Sequence, residues 1–191
     1  PRLFEFRMGE RSPETLVLSE ANRDAAMMLT GWRQWPGGAM ALIGPPGSGK
    51  THLALAWALE AGARQASPAA APEDAAAIFR ESGGRVFVDD ADGPHDEAML
   101  WRVLDLARVG SGAVLLAGTA PPNLWPVSLP DLRSRLAALP AARLQEPDEA
   151  LMEVILRRVC REQFIRLSDD AAKYLAHRLP RTYAAARAWA A

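Results

Sequence analysis

The chain has 191 residues, 49% of them hydrophobic and 24% charged, which suits one large soluble domain or two small ones with room for a substantial core. A formal net charge of −1 and a single cysteine, Cys160, exclude a global electrostatic pull on DNA or an anionic membrane, an internal disulfide framework and a cysteine-based metal site. No apolar run reaches the roughly 18 residues that cross a bilayer and no signal peptide is visible, so the cytoplasm is the expected location.

Residues 1–18 carry little pattern. Ser19-Glu20-Ala21-Asn22 reads as a helix start with Ser19 as N-cap, and the helix is expected to turn Ala25, Met28 and Leu29 inward and to end near Gly31. Trp32, Trp35 and Pro36-Gly37-Gly38 make the turn into Ala39-Met40-Ala41-Leu42-Ile43, an apolar run of strand length. Residues 52–60 are rich in helix formers, whereas 62–72 are rich in Ala, Pro and Ser and leave room for only a short strand. Residues 73–81 read as a helix closed by Ser82-Gly83-Gly84, and the apolar strand after it ends in Asp89-Asp90. Residues 96–109 form an amphipathic helix with Met99, Leu100, Val103, Leu104 and Leu106 toward the core, broken by Gly110-Ser111-Gly112. Ala113-Val114-Leu115-Leu116-Ala117 is a further apolar strand, and residues 130–139 are a short helix.

Strands and helices that alternate in this way, with strands apolar at every position, imply an α/β fold whose parallel sheet is covered on both faces. From Pro147 the chain turns to helices only. Residues 148–162 carry Leu151, Val154, Ile155 and Val159 at helical spacing, with Cys160 as a small buried residue among them. Ser168 caps a second helix through Leu179, and Pro180 opens a third. The expected organisation is a leading segment 1–18, an α/β core 19–146 and a three-helix lid 147–191, with the C-terminal end of the last helix left open because it reaches Ala191 without a stop signal.

The chemistry centres on Gly44-Pro45-Pro46-Gly47-Ser48-Gly49-Lys50-Thr51, which fits G-x-x-x-x-G-K-[ST] between a strand and a helix that begins with His52. Glycines let successive backbone N–H groups turn onto a phosphate with no Cβ in the way, and the helix N-terminus favours the anion. Lys50 is the residue to reach the outer phosphates, and the Thr51 hydroxyl can complete a Mg²⁺ shell. Val86-Phe87-Val88-Asp89-Asp90 places carboxylates at the end of a neighbouring strand, with Asp89 for the Mg²⁺ shell and Asp90 to orient or deprotonate an attacking water. Thr119 ends the next apolar strand, where a polar side chain serves equally as a γ-phosphate contact or as plain structure. Arg133 and Arg135 read either as surface ion-pairing residues or as an arginine finger for a neighbouring subunit's phosphate. Arg181 is a lid candidate for the chain's own phosphates.

Together these segments resemble AAA+ ATPases of the DnaA/Hda family, most closely the Hda type. Glu20-Ala21-Asn22-Arg23 is similar to the segment that borders the adenine, which implies a nucleotide contact for Asn22. Residues 44–51 and 85–90 resemble Walker A and Walker B. Leu116-Ala117-Gly118-Thr119-Ala120-Pro121-Pro122 resembles sensor I, Leu129-Pro130-Asp131-Leu132-Arg133-Ser134-Arg135-Leu136 the box that carries the arginine finger at Arg135, and Pro180-Arg181-Thr182-Tyr183 the start of sensor II. The resemblance implies ADP or ATP with Mg²⁺ as cofactors and weak intrinsic ATPase activity. It implies DnaA and the DNA polymerase III sliding clamp as partners, a homodimer as a further form, and stimulation of ATP hydrolysis by DnaA.

The chain stops at the lid, without the helix-turn-helix that reads duplex DNA in DnaA. It is also short between residues 62 and 85, where DnaA has paired helices for single-stranded DNA. The family's clamp tether begins with Gln; here Pro1-Arg2-Leu3-Phe4 has only apolar Leu3-Phe4, which reads equally as the end of a trimmed motif or as a strand-like anchor. The alternatives to the regulator are a helicase loader of the DnaC or IstB type, which near-zero net charge disfavours, and a DnaA ATPase-domain fragment.

Overall fold

The computed structural model describes residues 17–110 and 112–190. In chain order the elements are α1 (Arg23–Thr30), β1 (Ala39–Ile43), α2 (Lys50–Ala61), β2 (Arg64–Ala66), α3 (Pro72–Glu81), β3 (Arg85–Val88), α4 (Glu97–Gly110), β4 (Ala113–Gly118), α5 (Pro130–Ala137), β5 (Ala141–Arg143), α6 (Glu149–Glu162), α7 (Asp169–Arg178) and α8 (Tyr183–Ala190), with three short 3₁₀ turns between them. The five strands form one sheet in the order β2-β3-β4-β1-β5, and every pairing in it is parallel.

The strands are apolar throughout because both faces of the sheet are covered. Successive side chains point to opposite faces, and burial follows that alternation. Met40 and Leu42 of β1, Phe87 of β3 and Leu115 and Ala117 of β4 share one cluster with α1, α2 and the tryptophans 32, 35 and 57. Ala39, Val86, Val88, Val114 and Leu116 point the other way, into a cluster with α3, α4 and α5. Trp35 stacks on Trp57 with ring centroids 5.3 Å apart, joining the turn before β1 to α2. Leu115 lies in an inner strand and is fully buried. Leu115→Ala is expected to cost about 2–5 kcal/mol, because the neighbouring strands cannot close the cavity it leaves; the loss is read from the denaturant midpoint at unchanged slope.

α6, α7 and α8 share a third, smaller cluster of their own, built on Met152, Leu156, Val159, Cys160, Ala176 and Ala186. Cys160 packs there as a buried apolar residue, and burial pushes its thiol up. Ser168 caps α7 as expected, its hydroxyl accepting from Ala171 N–H.

Several local expectations shift. The cap of α1 is Asn22, three residues past the expected Ser19, because Ser19 folds a turn of its own: its N–H donates to Asn22 Oδ1 at 2.9 Å and its hydroxyl accepts from Ala21 N–H at 3.2 Å. The buried face of α1 is then Ala25, Ala26 and Leu29, leaving Met28 largely exposed. α8 starts at Tyr183 rather than at Pro180, with the Thr182 hydroxyl accepting from Ala185 N–H at 3.1 Å. β5 is an addition. Ala141-Ala142-Arg143 has no β-branched residue, and it is a strand only because it lies alongside β1.

Candidate nucleotide site

The carboxyl ends of β1, β3 and β4 lie side by side, at the edge of the sheet where ligands of open α/β folds bind. There the chain leaves β1 into the loop 44–49 and enters α2 at Lys50. Gly47 and Gly49 have φ of +78° and +95°, left-handed values that let successive N–H groups face inward. A cavity of about 590 Å³ opens over this loop. Pro46, Gly47, Ser48, Gly49, Lys50, Thr51 and His52 line its floor, Asp90 and Thr119 one side, and Leu151, Val154, Ile155, Arg158 and Tyr183 the helical side. Val17, Asn22, Leu144 and Pro147 complete the wall.

Lys50 is 8% exposed, and its Nζ donates to the carbonyls of Gly44 at 2.8 Å and Pro45 at 3.1 Å. Among the described residues no carboxylate pairs with it. The buried Ser48 hydroxyl has no hydrogen-bond partner. A buried cation without a counter-ion beside an unsatisfied hydroxyl and a left-handed glycine loop fits a polyphosphate. His52, half-buried at the start of α2, is pushed below its ordinary value by burial, so it is neutral near pH 7.

The acidic turn after β3 gives each carboxylate a different place. Asp90 adopts φ +50° and lines the cavity, whereas Asp89, half-buried just past the end of β3, is not one of the lining residues and its Oδ1 accepts from Asp90 N–H at 3.2 Å. Among the described residues no group of three His, Cys, Asp or Glu could hold a metal ion by itself. Asn22 lines the cavity, but its side-chain amide is engaged with its own turn, Nδ2 donating to Val17 O at 2.9 Å.

Arg181 does not line the cavity. Its Nη2 donates to Glu149 Oε1 at 2.9 Å, the same oxygen that His177 meets at 3.1 Å. The helical side touches the loop through Thr182 instead: a Cβ on Gly47 would lie 2.6 Å from Thr182 Cγ2. Arg158 and Val154 line the cavity without having been expected to. Their signal was present, since residues 151, 154, 155 and 158 recur at helical spacing along one face of α6, but that face reads as core from sequence.

Arg133 and Arg135 part company. Arg133 donates to Val127 O at 2.6 Å and so braces its own loop. Arg135 lies on α5, its Nη2 3.1 Å from Asp105 Oδ1 and its guanidinium 5.1 Å from the centre of the Trp101 ring. Asp105 also meets Arg108 at 3.2 Å. Partial burial pushes the Asp105 carboxyl up, but the two guanidiniums outweigh it and hold it below its ordinary value.

The start of α5 is held by Glu97, whose carboxylate accepts from Ser128 N–H at 2.7 Å, Leu129 N–H at 2.8 Å and the Ser128 hydroxyl at 2.8 Å. The backbone bonds from Ser128 and Leu129 lead the causes that lower its pKa from 4.5. A carboxyl depressed by folding stabilises above its unfolded value and loses that contribution as pH falls through the folded one. Denaturant midpoints are therefore expected to fall more steeply for the parent than for Glu97→Gln as pH drops below about 4.5; equal slopes would place no folding-linked proton on Glu97.

The segment Pro1-Arg2-Leu3-Phe4, with the apolar pair Leu3-Phe4 that resembles the end of a clamp tether, lies outside the described residues. No helix among the described residues is long and apolar enough to cross a membrane.

Neither a protein-family model nor a curated protein sequence matches the chain. Solved structures do. The chain is similar to the replication initiator DnaA bound to AMPPCP and single-stranded DNA, with 17% identity and a TM-score of 0.66 over 92% of this chain and 61% of that one. Domain III of DnaA from Thermotoga maritima gives 15% identity and a TM-score of 0.69 over 91% of this chain and 82% of that one. The RuvB Holliday junction branch migration motor of Thermotoga maritima gives 22% and 0.63 over 89% and 59%. The fold is that of AAA+ ATPases. The chain spans about three fifths of the length of the longer DnaA and RuvB chains.

Proposed function

We propose that the chain is an Hda-like regulator of replication initiation, which binds ADP or ATP with Mg²⁺ and, with the sliding clamp, stimulates ATP hydrolysis by DnaA. The placement of Arg135 carries this reading. It sits on α5, none of whose residues lines the chain's own cavity, so a phosphate that it meets belongs to another protein. Nucleotide binding is supported by the buried Lys50 and the unpartnered Ser48 hydroxyl, and the similar DnaA structure is itself a complex with AMPPCP.

A bound nucleotide with Mg²⁺ would supply charge for the loop to hold and a sensor of the lid's position. Gly47, Ser48, Gly49 and Lys50 are the residues to cradle its phosphates, and Thr51 and Asp89 to hold the metal. Asp90, which lines the cavity, is the residue to orient a water. Thr182 and Tyr183 close on the loop from the helical side, and Arg181 can reach phosphate only by leaving Glu149. That exchange costs little, since both partners are about half exposed and such pairs contribute about 0–1 kcal/mol. The lid is thereby coupled to the site, and its angle sets how Arg135 meets a partner in a head-to-tail contact.

The experiment is ATP hydrolysis by cognate DnaA in the presence of ADP and clamp-loaded DNA, with and without this protein. Stimulation supports the regulator; its absence, with DnaA shown to be active, sends the reading to another partner.

A further inference from the structure

We propose that Asp92 is the positioning residue that fixes Thr119 for reading a third phosphate, which rests on the nucleotide reading above. The observation is a tie between segments far apart in sequence. One carboxylate oxygen, Asp92 Oδ2, accepts from Thr119 N–H at 2.6 Å and from Ala120 N–H at 3.0 Å.

Everything around this tie is built to hold it. Asp90 takes φ +50° and Gly93 N–H returns to Asp90 O at 3.0 Å, a turn that swings Asp92 back toward β4. Ala91 N–H donates to Ala117 O at 2.8 Å, extending the β3–β4 pairing to the point where the carboxylate takes over. The approach is close enough to need a glycine: a Cβ on Gly118 would lie 3.0 Å from Asp92 Cγ and 2.9 Å from the Trp125 ring. Trp125 holds the same loop from its other side, its Nε1 donating to Ala120 O at 2.8 Å. The backbone at 119–120 is thus fixed through both its N–H groups and a carbonyl.

The fixed segment borders the cradle. Gly118 O accepts from Gly44 N–H at 3.3 Å, at the first residue of the phosphate loop, and Thr119 lines the cavity opposite the helical side. Because the tie uses only backbone N–H groups, the threonine hydroxyl is left for a ligand. A strand end that would otherwise fray is held rigid at the point where a γ-phosphate differs from its absence, and rigid placement is what lets a hydrogen-bond donor discriminate.

The test is calorimetric binding of AMPPCP and of ADP, each with Mg²⁺, to the full chain and to Asp92→Ala, Asp92→Asn, Thr119→Ala and the double Asp92→Ala/Thr119→Ala variant. Asp92→Ala is expected to weaken AMPPCP about tenfold, the scale of one hydrogen bond to a charged group, while ADP changes less than about twofold. Thr119→Ala should match it, and the double variant should be no weaker than either single, since both remove one interaction. Asp92→Asn keeps an oxygen where Oδ2 stands and is expected to bind AMPPCP within about threefold of the parent. Equal losses for ADP and AMPPCP in both Asp92 variants would make the tie merely structural and overturn the assignment. So would additive losses in the double variant, or a Thr119→Ala protein that binds AMPPCP like the parent. A parent that binds neither nucleotide would overturn the nucleotide reading itself, and this assignment with it.

Discussion

Lys50→Ala is expected to lower ADP affinity at least about a hundredfold, close to 2.8 kcal/mol at about 1.4 kcal/mol per decade. The size follows from the lysine's present situation. Lys50 is 8% exposed and its ammonium rests on two neutral carbonyls at 2.8 and 3.1 Å, so it is held in a largely desolvated place with no carboxylate paired to it among the described residues. An anion placed there gains a charge-assisted hydrogen bond whose desolvation has already been met by the fold. The same reasoning predicts opposite signs in melting experiments. Without nucleotide, Lys50→Ala should melt at or above the parent's temperature, because it removes an uncompensated buried cation. With ADP at about a hundred times the parent's Kd, the parent should gain about 2.7 kcal/mol and the variant almost nothing. Lys173, the other lysine of the chain, is exposed on α7, and Lys173→Ala should follow the parent in both conditions. A Lys50→Ala protein that ADP stabilises as fully as the parent would remove the loop from the site.

The parts of this protein that were legible in its sequence are those where a local rule leaves one answer. The loop 44–51 could be read because a left-handed backbone, an inward row of N–H groups and a lysine at a helix start leave little freedom in residue type. β1 and β4 could be read because a strand buried on both faces must be apolar at every position. α6 was legible as a helix but not as a cavity wall: Val154 is 37% exposed, and an apolar face looks the same whether it meets a core or a ligand. β5 was invisible, since Ala141-Ala142-Arg143 has no strand preference until β1 offers it a partner. Asp92 was hidden for a different reason. A carboxylate in a turn after a strand reads as solvated, and only the folded chain brings it to the amides of residues 119 and 120. The pairing of Arg181 with Glu149 was hidden in the same way, by a separation in sequence that carries no periodicity.

Arg135→Ala is expected to abolish stimulation of DnaA ATP hydrolysis, a loss of at least about a thousandfold if the guanidinium serves as a finger, and to leave ADP binding by the chain itself unchanged, because Arg135 does not line its cavity. Its neighbours decide whether it is free to act. Asp105 holds it at 3.1 Å and shares that oxygen with Arg108, while Trp101 lies beneath the guanidinium. The two charged side chains are 27% and 21% exposed, so the pair keeps some contact with water and, shared with Arg108, contributes on the order of 1 kcal/mol, against several kcal/mol for a guanidinium on a developing phosphate charge in a closed site. The ion pair therefore orients the arginine without locking it. Two further variants separate this account from its rivals. Arg135→Lys should fail almost as fully as Arg135→Ala, since an ammonium lacks the planar fork. Arg133→Ala should stimulate like the parent at low temperature and instead lower the melting point, because Arg133 braces Val127 O at 2.6 Å. If Arg135→Ala stimulated as well as the parent and Arg133→Ala did not, the finger would be Arg133 and α5 would have to turn to present it.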